Sequence, residues 1–297
     1  MPTKLKGISV ALGTAGFGSS ISPDDAFKIM DVYAGLGGRV LDTANNYAYW
    51  RNPDRQGGQS EAVVGQWLQA RGCRAQFTLM TKIGSQPVNG VREGLAAAAV
   101  RAAVKQSLAR LQTDYIDILL AHHDDPETPL LETWRAFNEL VAGGQVKMAG
   151  ISNYNTPRIG ELVALAASHS LAPVDVLQMR YSLVPPNPGA DFGPLEVLDA
   201  AMRKTLARLL PGAVIFGYSP LLQGLYEKNT GEAWPAAYDN LENRRMVSAL
   251  QAAARERGVS PSAYVLKKIA EQGIWPVTAT GKPERLASNL RLFTEML

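Results

Sequence analysis

The sequence predicts an α/β protein, a (β/α)8 TIM barrel forming a single domain over residues 1–297. Three observations carry that prediction. Short apolar runs alternate strictly with longer helical patterns, which implies parallel strands joined by helical crossovers. There are eight such runs, and eight units in 297 residues suit a closed barrel better than an open doubly wound sheet. Neither half of the chain has a complete pattern of its own, and no linker stands out.

The elements follow in order. The first strand is expected over Ile8 to Gly13. A helix follows over Pro23 to Leu36, with Ser22 as N-cap and Pro23 in the first turn. Next come Arg39 to Ala44 (strand), Ser60 to Ala70 (helix) and Phe77 to Ile83 (strand). Arg92 to Leu111 reads as a long helix and Tyr115 to His122 as the fourth strand. Thr128 to Ala142 is helical and stops at Gly143 and Gly144. Strand Val146 to Ser152 precedes helix Thr156 to Ser168. Strand Val174 to Met179 precedes helix Leu195 to Leu209. Strand Ala213 to Tyr218 is followed by helices Glu242 to Glu256 and Pro261 to Glu271. The last strand is Ile274 to Thr280, and the last helix runs from Pro283 to the end. Three long irregular stretches, Asn45 to Gln59, Tyr181 to Gly193 and Ser219 to Leu241, all follow strand C-terminal ends, the face on which barrels build their sites.

Composition removes several classes. The chain is 46% hydrophobic and 19% charged, which excludes global disorder. A net charge of +3 is no footprint for nucleic acid. No apolar stretch is long enough for a membrane span, and the N-terminal residues lack a signal-peptide pattern. The lone Cys73 excludes an intrachain disulfide framework and fits a reducing compartment, so a cytoplasmic protein is expected. Cys73 itself, between Arg71, Gly72 and Arg74, reads as an exposed turn residue without a role. His169 at a helix end reads as structural or surface.

Alternate residues of a barrel strand face the packed interior. That phase groups Val40, Asp42 and Ala44; Thr78, Met80 and Lys82; and Ile116, Ile118, Leu120 and His122. Buried Asp, Lys and His need partners, and convergence at one barrel mouth would supply them. Tyr47 lies five residues after Asp42, just outside that mouth. A Tyr hydroxyl beside a Lys ammonium is expected to have its pKa pulled from about 10 towards neutrality. A Tyr so tuned is a general acid for a developing alkoxide, the partner of hydride delivery from a nicotinamide. Adjacent strand residues face opposite sides, so His122 rather than His123 is expected to point inward. The run His122, His123, Asp124, Asp125 is a poor metal site because consecutive residues of a strand do not converge, and no metal is expected. The stretch GTAGFG (13–18) lacks the GxGxxG spacing and an immediate helix, so it reads as a turn.

Six segments together resemble the signature blocks of the aldo-keto reductase family, in order and in register. They are LDTANNY (41–47), MTK (80–82), DYIDILLAH (114–122), GISNYN (150–155), GYSPL (217–221) and TGKPERLASNL (280–290). The resemblance covers nearly the whole chain. It implies a (β/α)8 barrel that reduces aldehydes or ketones with a reduced nicotinamide, NADPH in preference to NADH. It also implies a catalytic tetrad of Asp42, Tyr47, Lys82 and His122. Tyr47 would be the acid, Lys82 its electrostatic tuner, Asp42 the partner of Lys82, and His122 the group orienting the carbonyl. Ser152, Asn153 and Gln178 would hold the nicotinamide carboxamide, and Tyr218 would stack on its ring. Ser219, Pro220, Leu221, Gln223 and Gly224 would wrap the pyrophosphate. Thr280, Gly281, Lys282 and Arg285 would take the adenosine phosphate at a helix start, and Asn289 the adenine.

The sequence departs from the family in three places. Thr278 and Ala279 stand where many members have Pro-Gly, and His123 stands where relatives carry a bulky aromatic or Arg. The chain stops at Leu297, so the C-terminal loop that shapes the pocket in many members is expected to be missing. An open substrate pocket lined by Phe17, Tyr49, Trp50, His123 and Arg180 is expected instead. The expected partner is a small-molecule carbonyl compound, sugar-like in one reading, with neither nucleic acid nor membrane involved, and the chain a monomer or weak homo-oligomer. The alternative is a catalytically weak, cofactor-binding auxiliary barrel.

Overall fold

The computed structural model describes residues 5–51, 56–88, 90–229 and 231–294. In chain order the strands are β1 Ala11–Gly13, β2 Val40–Asp42, β3 Thr78–Ile83, β4 Pro87–Val88, β5 Val91–Arg92, β6 Ile116–Ala121, β7 Val146–Ser152, β8 Val176–Arg180, β9 Val214–Tyr218 and β10 Ile274–Thr278. The helices are α1 Pro23–Gly35, α2 Gln59–Arg71, α3 Ala97–Leu111, α4 Leu130–Ala142, α5 Thr156–Ser168, α6 Ala200–Leu209, α7 Leu241–Glu256, α8 Pro261–Ala270 and α9 Pro283–Thr294. Eight strands pair in parallel and close as β1-β10-β9-β8-β7-β6-β3-β2, while β4 and β5 form a separate antiparallel hairpin. The expected parallel barrel is therefore the fold.

Alternation along the strands creates two apolar layers. Ala11, Val40, Met80, Ile118, Leu120, Met148, Val176, Phe216 and Val277 fill the inside of the barrel. The opposite faces of the strands meet the helices in a larger core that includes Trp67, Trp134, Phe137 and Leu290. Step two residues further along each inward row and the side chain becomes polar: Asp42 after Val40, Lys82 after Met80, His122 after Leu120, Gln178 after Val176, Tyr218 after Phe216. A dry apolar plug thus carries a polar layer at the C-terminal mouth.

Caps follow the sequence where their chemistry is local. Ser22 accepts from the Asp25 N–H at the start of α1, with Pro23 in the first turn. Asn155, Asp199, Asn240 and Ser260 cap α5, α6, α7 and α8 in the same way. Other boundaries differ from expectation. The stretch expected to begin a helix at Arg92 holds the β4–β5 hairpin, and α3 starts only at Ala97. Residues 195–199 are not helical, because Val197 bridges to Arg180 at the end of β8. Cys73 is 7% exposed, not on an exposed turn, and burial pushes its thiol pKa up. The last three residues expected in α9 lie outside the described residues.

Close packing of α2 on α3 depends on Gly65, whose added Cβ would sit 2.4 Å from the Arg110 carbonyl oxygen and 2.7 Å from the Leu111 carbonyl carbon. Both obstacles are backbone, so they cannot rotate away. Gly65→Ala should destabilise the protein by about 1–3 kcal/mol, read as a lower urea midpoint at unchanged m-value. An unchanged midpoint would mean that the helices separate freely.

Candidate active site

Lys82 organises the polar layer. It is 0% exposed, and its ammonium donates to three acceptors: Asp42 Oδ1 at 2.6 Å, the Thr43 carbonyl at 2.8 Å and Tyr47 Oη at 2.9 Å. An ammonium has three N–H groups, so its donors are fully used. Backbone pairing sets this geometry. Beyond β2, Thr43 N–H still donates to the Met80 carbonyl and Asn45 N–H to the Lys82 carbonyl. The chain then turns, with Tyr47 N–H on the Ala44 carbonyl, and brings the phenol over Lys82. Asp42 Oδ1 also accepts from Gln178 Nε2 at 3.1 Å.

Electrostatics follow from burial. Burial opposes charge on Lys82, but Asp42 and Tyr47 outweigh it and hold the ammonium above its ordinary pKa. Burial also pushes the Tyr47 phenol up, against the pull of Lys82 and with Asp42 adding to the rise. The expectation of a phenol drawn towards neutrality is corrected: desolvation of the phenolate exceeds the attraction of an ammonium already neutralised by Asp42. Tyr47 is therefore a neutral O–H at physiological pH. Since its oxygen accepts from Lys82, its hydrogen is free to be donated elsewhere.

His122 continues the pairing beyond β6, its N–H on the Ile83 carbonyl at 2.9 Å. Its ring meets the Tyr47 ring edge-on, with centroids 5.9 Å apart. Burial, then Lys82, His123 and Arg92, hold its pKa well below the ordinary value, so it is neutral. The expected opposition of His122 and His123 does not hold. Both lie past the end of the strand, where alternation lapses, and their rings stack 4.9 Å apart.

Tyr47 and His122 open on a cleft of about 1230 Å³. From that end the cleft runs past Ser152, Asn153, Gln178 and Tyr218, along Ser219, Pro220, Leu221, Gln223 and Gly224, to Thr280, Gly281, Lys282, Arg285 and Asn289. Every residue expected from the resemblance to touch a cofactor thus lines one continuous space. Asn153 is locked in left-handed backbone (φ 57°). It donates to the His122 carbonyl and accepts from Tyr218 Oη at 2.7 Å. Ser219, Leu222, Gln223 and Gly224 all have positive φ, a concentration of strained backbone of the kind found at ligand clamps. No carboxylate is within ion-pair distance of Lys282 or Arg285 among the described residues. The cleft's length and its donors at a helix start suit a dinucleotide.

Residues 9–297 match the model of the aldo/keto reductase family. The chain belongs to that family. The chain is 27% identical to an aryl-alcohol dehydrogenase of Pestalotiopsis microspora, over 97% of the present chain and 73% of that protein. It is 31% identical to the oxidoreductase YrpG of Bacillus subtilis, over 82% and 73%. It is 28% identical to the norsolorinic acid reductase stcV of Emericella nidulans, over 96% and 75%. The crystal structure assigned as a 2,5-diketo-D-gluconic acid reductase B superimposes with a TM-score of 0.71 at 23% identity, covering 98% of this chain and 86% of that one. The protein is an oxidoreductase of carbonyl chemistry, the class the family defines.

None of the residues expected to line the substrate pocket, Phe17, Tyr49, Trp50, His123 and Arg180, is among the described residues that line the cleft. Trp50 is 43% exposed and packs edge-on against Tyr47 and Tyr49, and His123 lies beside His122. Phe17 is 1% exposed and belongs to the strand–helix core, because the turn after β1 folds inward. Arg180 lies over the Phe192 ring and donates to Tyr238 Oη at 3.1 Å. It faces a separate cavity of about 310 Å³, clamping two long loops rather than lining the main cleft. The structure also adds residues to the cleft that the sequence reading omits. Glu227 accepts from both Ser262 N–H and Ser262 Oγ, at 2.9 and 2.6 Å, tying the 219–227 turn to the start of α8. The only signal in the sequence is the Ser260-Pro261-Ser262 cap pattern.

Two outcomes follow. Asp42→Ala leaves a buried ammonium without its counter-ion and should cost about 3–5 kcal/mol, measured by chemical denaturation at pH 7. His123 has its pKa lowered to about 4 by burial and by Arg92 and Lys82. A folded pKa below the unfolded one means stability that is present above pH 6.5 and is lost as pH falls towards 4. Urea midpoints should therefore decline across that window, and less so in His123→Phe. Parallel declines would refute the assignment.

Proposed function

We propose that the protein is an NADPH-dependent carbonyl reductase in which Tyr47 is the general acid. The observation that carries this reading is the buried Lys82, bonded at once to Asp42 and Tyr47, with the free phenolic hydrogen left beside His122 at the cleft. When bound, a reduced nicotinamide supplies hydride to the carbonyl carbon. Tyr47 gives its proton to the carbonyl oxygen, and the Lys82 ammonium at 2.9 Å stabilises the phenolate left behind. His122, neutral, contributes a hydrogen bond that orients that oxygen without adding charge. Gln178 and Asn153 are the groups proposed to hold the carboxamide, and Tyr218 to cover the ring. Thr280, Gly281, Lys282 and Arg285 would take the phosphate that distinguishes NADPH from NADH, and Asn289 the adenine. Lys282 and Arg285, with no carboxylate in ion-pair range among the described residues, support that preference. All these groups come from one chain, which supports a site complete in a monomer. A buried, unpaired Cys73 is compatible with cytoplasmic placement. The rings of Tyr47 and His122 at the cleft support a planar carbonyl compound as readily as a sugar.

Absorbance loss of NADPH against a panel of aldehydes and ketones tests the reading. Tyr47→Phe should lower kcat by about 10²–10⁴-fold, and undiminished turnover would sink the role of Tyr47. Tight cofactor binding with no carbonyl turned over by the unmodified protein would instead favour an auxiliary barrel. Arg285→Ala should weaken NADPH binding roughly ten- to hundredfold and leave NADH binding unchanged. Equal effects on both cofactors would remove the phosphate assignment.

A further inference from the structure

His122 lacks the hydrogen bond that usually orients an active-site imidazole. A second-nitrogen partner normally fixes the ring and its tautomer, yet His122 Nδ1 is buried with no hydrogen-bond partner among the described residues. Its backbone is pinned at both ends, N–H on the Ile83 carbonyl and carbonyl on Asn153 Nδ2. Neither bond sets the side-chain torsion. One face of the ring is covered by His123, at a centroid separation of 4.9 Å and an interplanar angle of 26°. His123 is itself anchored, since its Nδ1 lies 2.8 Å from Ser85 Oγ. Ser85 is buried just past the end of β3, next to the strand from which His123 emerges.

We infer that His123, held by Ser85, is a positioning residue for His122, its ring fixing the His122 ring edge-on to Tyr47 and shielding it from water. Ser85, His123, His122 and Tyr47 form a line from the end of β3 to the mouth of the cleft. The titratable and charged groups facing His122 are Lys82, Tyr47, His123 and Arg92. Two of these are cationic, so a wetter His122 ring could take a proton only beside like charge. A neutral partner stacked on it excludes water without adding a further positive charge. The positioning needs an aromatic face at position 123 and does not need an imidazole to exchange protons there.

The inference rests on the proposed roles of Tyr47 and His122, so its first test avoids cofactor and substrate. Long-range 1H–15N correlation spectra of the ligand-free full chain follow each imidazole from pH 8 to 3. In the unmodified protein His122 stays neutral well below pH 6.5. His123→Ala should raise its titration midpoint towards the ordinary histidine value, and Ser85→Ala should do so to a smaller extent. His123→Phe, which keeps the face, should leave it low. An unmoved midpoint in His123→Ala, or an equal rise in His123→Phe, would overturn the inference. Should His123→Ala not fold, Ser85→Ala and His123→Phe still separate the outcomes: a rise in the first and none in the second supports the inference, and any other pair refutes it. Turnover adds a second readout. His123→Ala should lower kcat about tenfold with NADPH affinity unchanged, and His123→Phe should restore most of it. Full kcat in His123→Ala would refute positioning, whereas absence of turnover in the unmodified protein would count against the carbonyl-reductase reading alone.

Discussion

A lysine ammonium with no exposure to solvent is the constraint around which this mouth of the barrel is built. Burying an isolated ammonium costs several kcal/mol, so each of its three N–H groups must find an acceptor. Lys82 finds them on a carboxylate, a carbonyl and a phenol. Two of the three lie in the five residues after β2, so that segment must continue alongside β3 rather than leave it. Its path is reinforced from behind by a set of buried hydroxyls. Ser60 Oγ lies 2.7 Å from Thr14 Oγ1 and 2.9 Å from Thr43 Oγ1, joining the start of α2 to the ends of β1 and β2. Next to Ser60, buried Glu61 accepts from Thr81 Oγ1 and Arg110 Nε. The residues on either side of the Lys82 site thus have their own polar partners, and none competes for its ammonium.

Strain marks the other boundary of the cleft. Asn153 at the end of β7, Ser219 after β9, and Leu222 and Gln223 in the turn that follows all adopt left-handed backbone without being glycine. Each such residue costs on the order of 1 kcal/mol, and all four lie along one side of the same space. Ordinary loops have no reason to concentrate that cost. The turn stays in place because Glu227 is fastened to α8 and Leu225 and Tyr226 are buried. The cleft is therefore shaped in advance at the ring end and along the middle, while Lys282 and Arg285 are exposed at the far end.

Much of this was legible in the sequence because barrel strands obey a period of two. The inward phase of Val40, Met80 and Leu120 leads directly to Asp42, Lys82 and His122 two residues later, and the structure keeps that phase. Legibility stops where the strands stop. His123 was read by strand alternation and escapes it, because the chain has already turned. Phe17 is expected in the open pocket, but nothing local states whether the turn that carries it folds outward or over the core. Arg180 keeps the inward phase yet is captured by Phe192 and Tyr238, residues far away in sequence. The β4–β5 hairpin is a different case. Asn89-Gly90 between Val88 and Val91 is the strongest short hairpin signal, and the helical pattern that follows obscured it. Ser85 carries no signal at all, since its partner is contributed by the neighbouring strand.

Charge balance explains how a phenol with a raised pKa would serve as the acid in the proposed mechanism. Asp42 cancels Lys82 in the ground state, and both histidines are neutral, so the mouth carries no net charge of its own apart from the more distant Arg92. A phenolate made there in the absence of a substrate would face a desolvated site whose cation is already paired, and it is disfavoured. During reduction the comparison is different. In the proposed mechanism negative charge would already be developing on the substrate oxygen in the same dry space, and passing the proton would move that charge onto an atom 2.9 Å from Lys82. What matters is the difference between the two oxygens, not the phenol pKa in the empty protein. A site with a lower resting phenol pKa would hold more phenolate before the reaction and would have less acid to give.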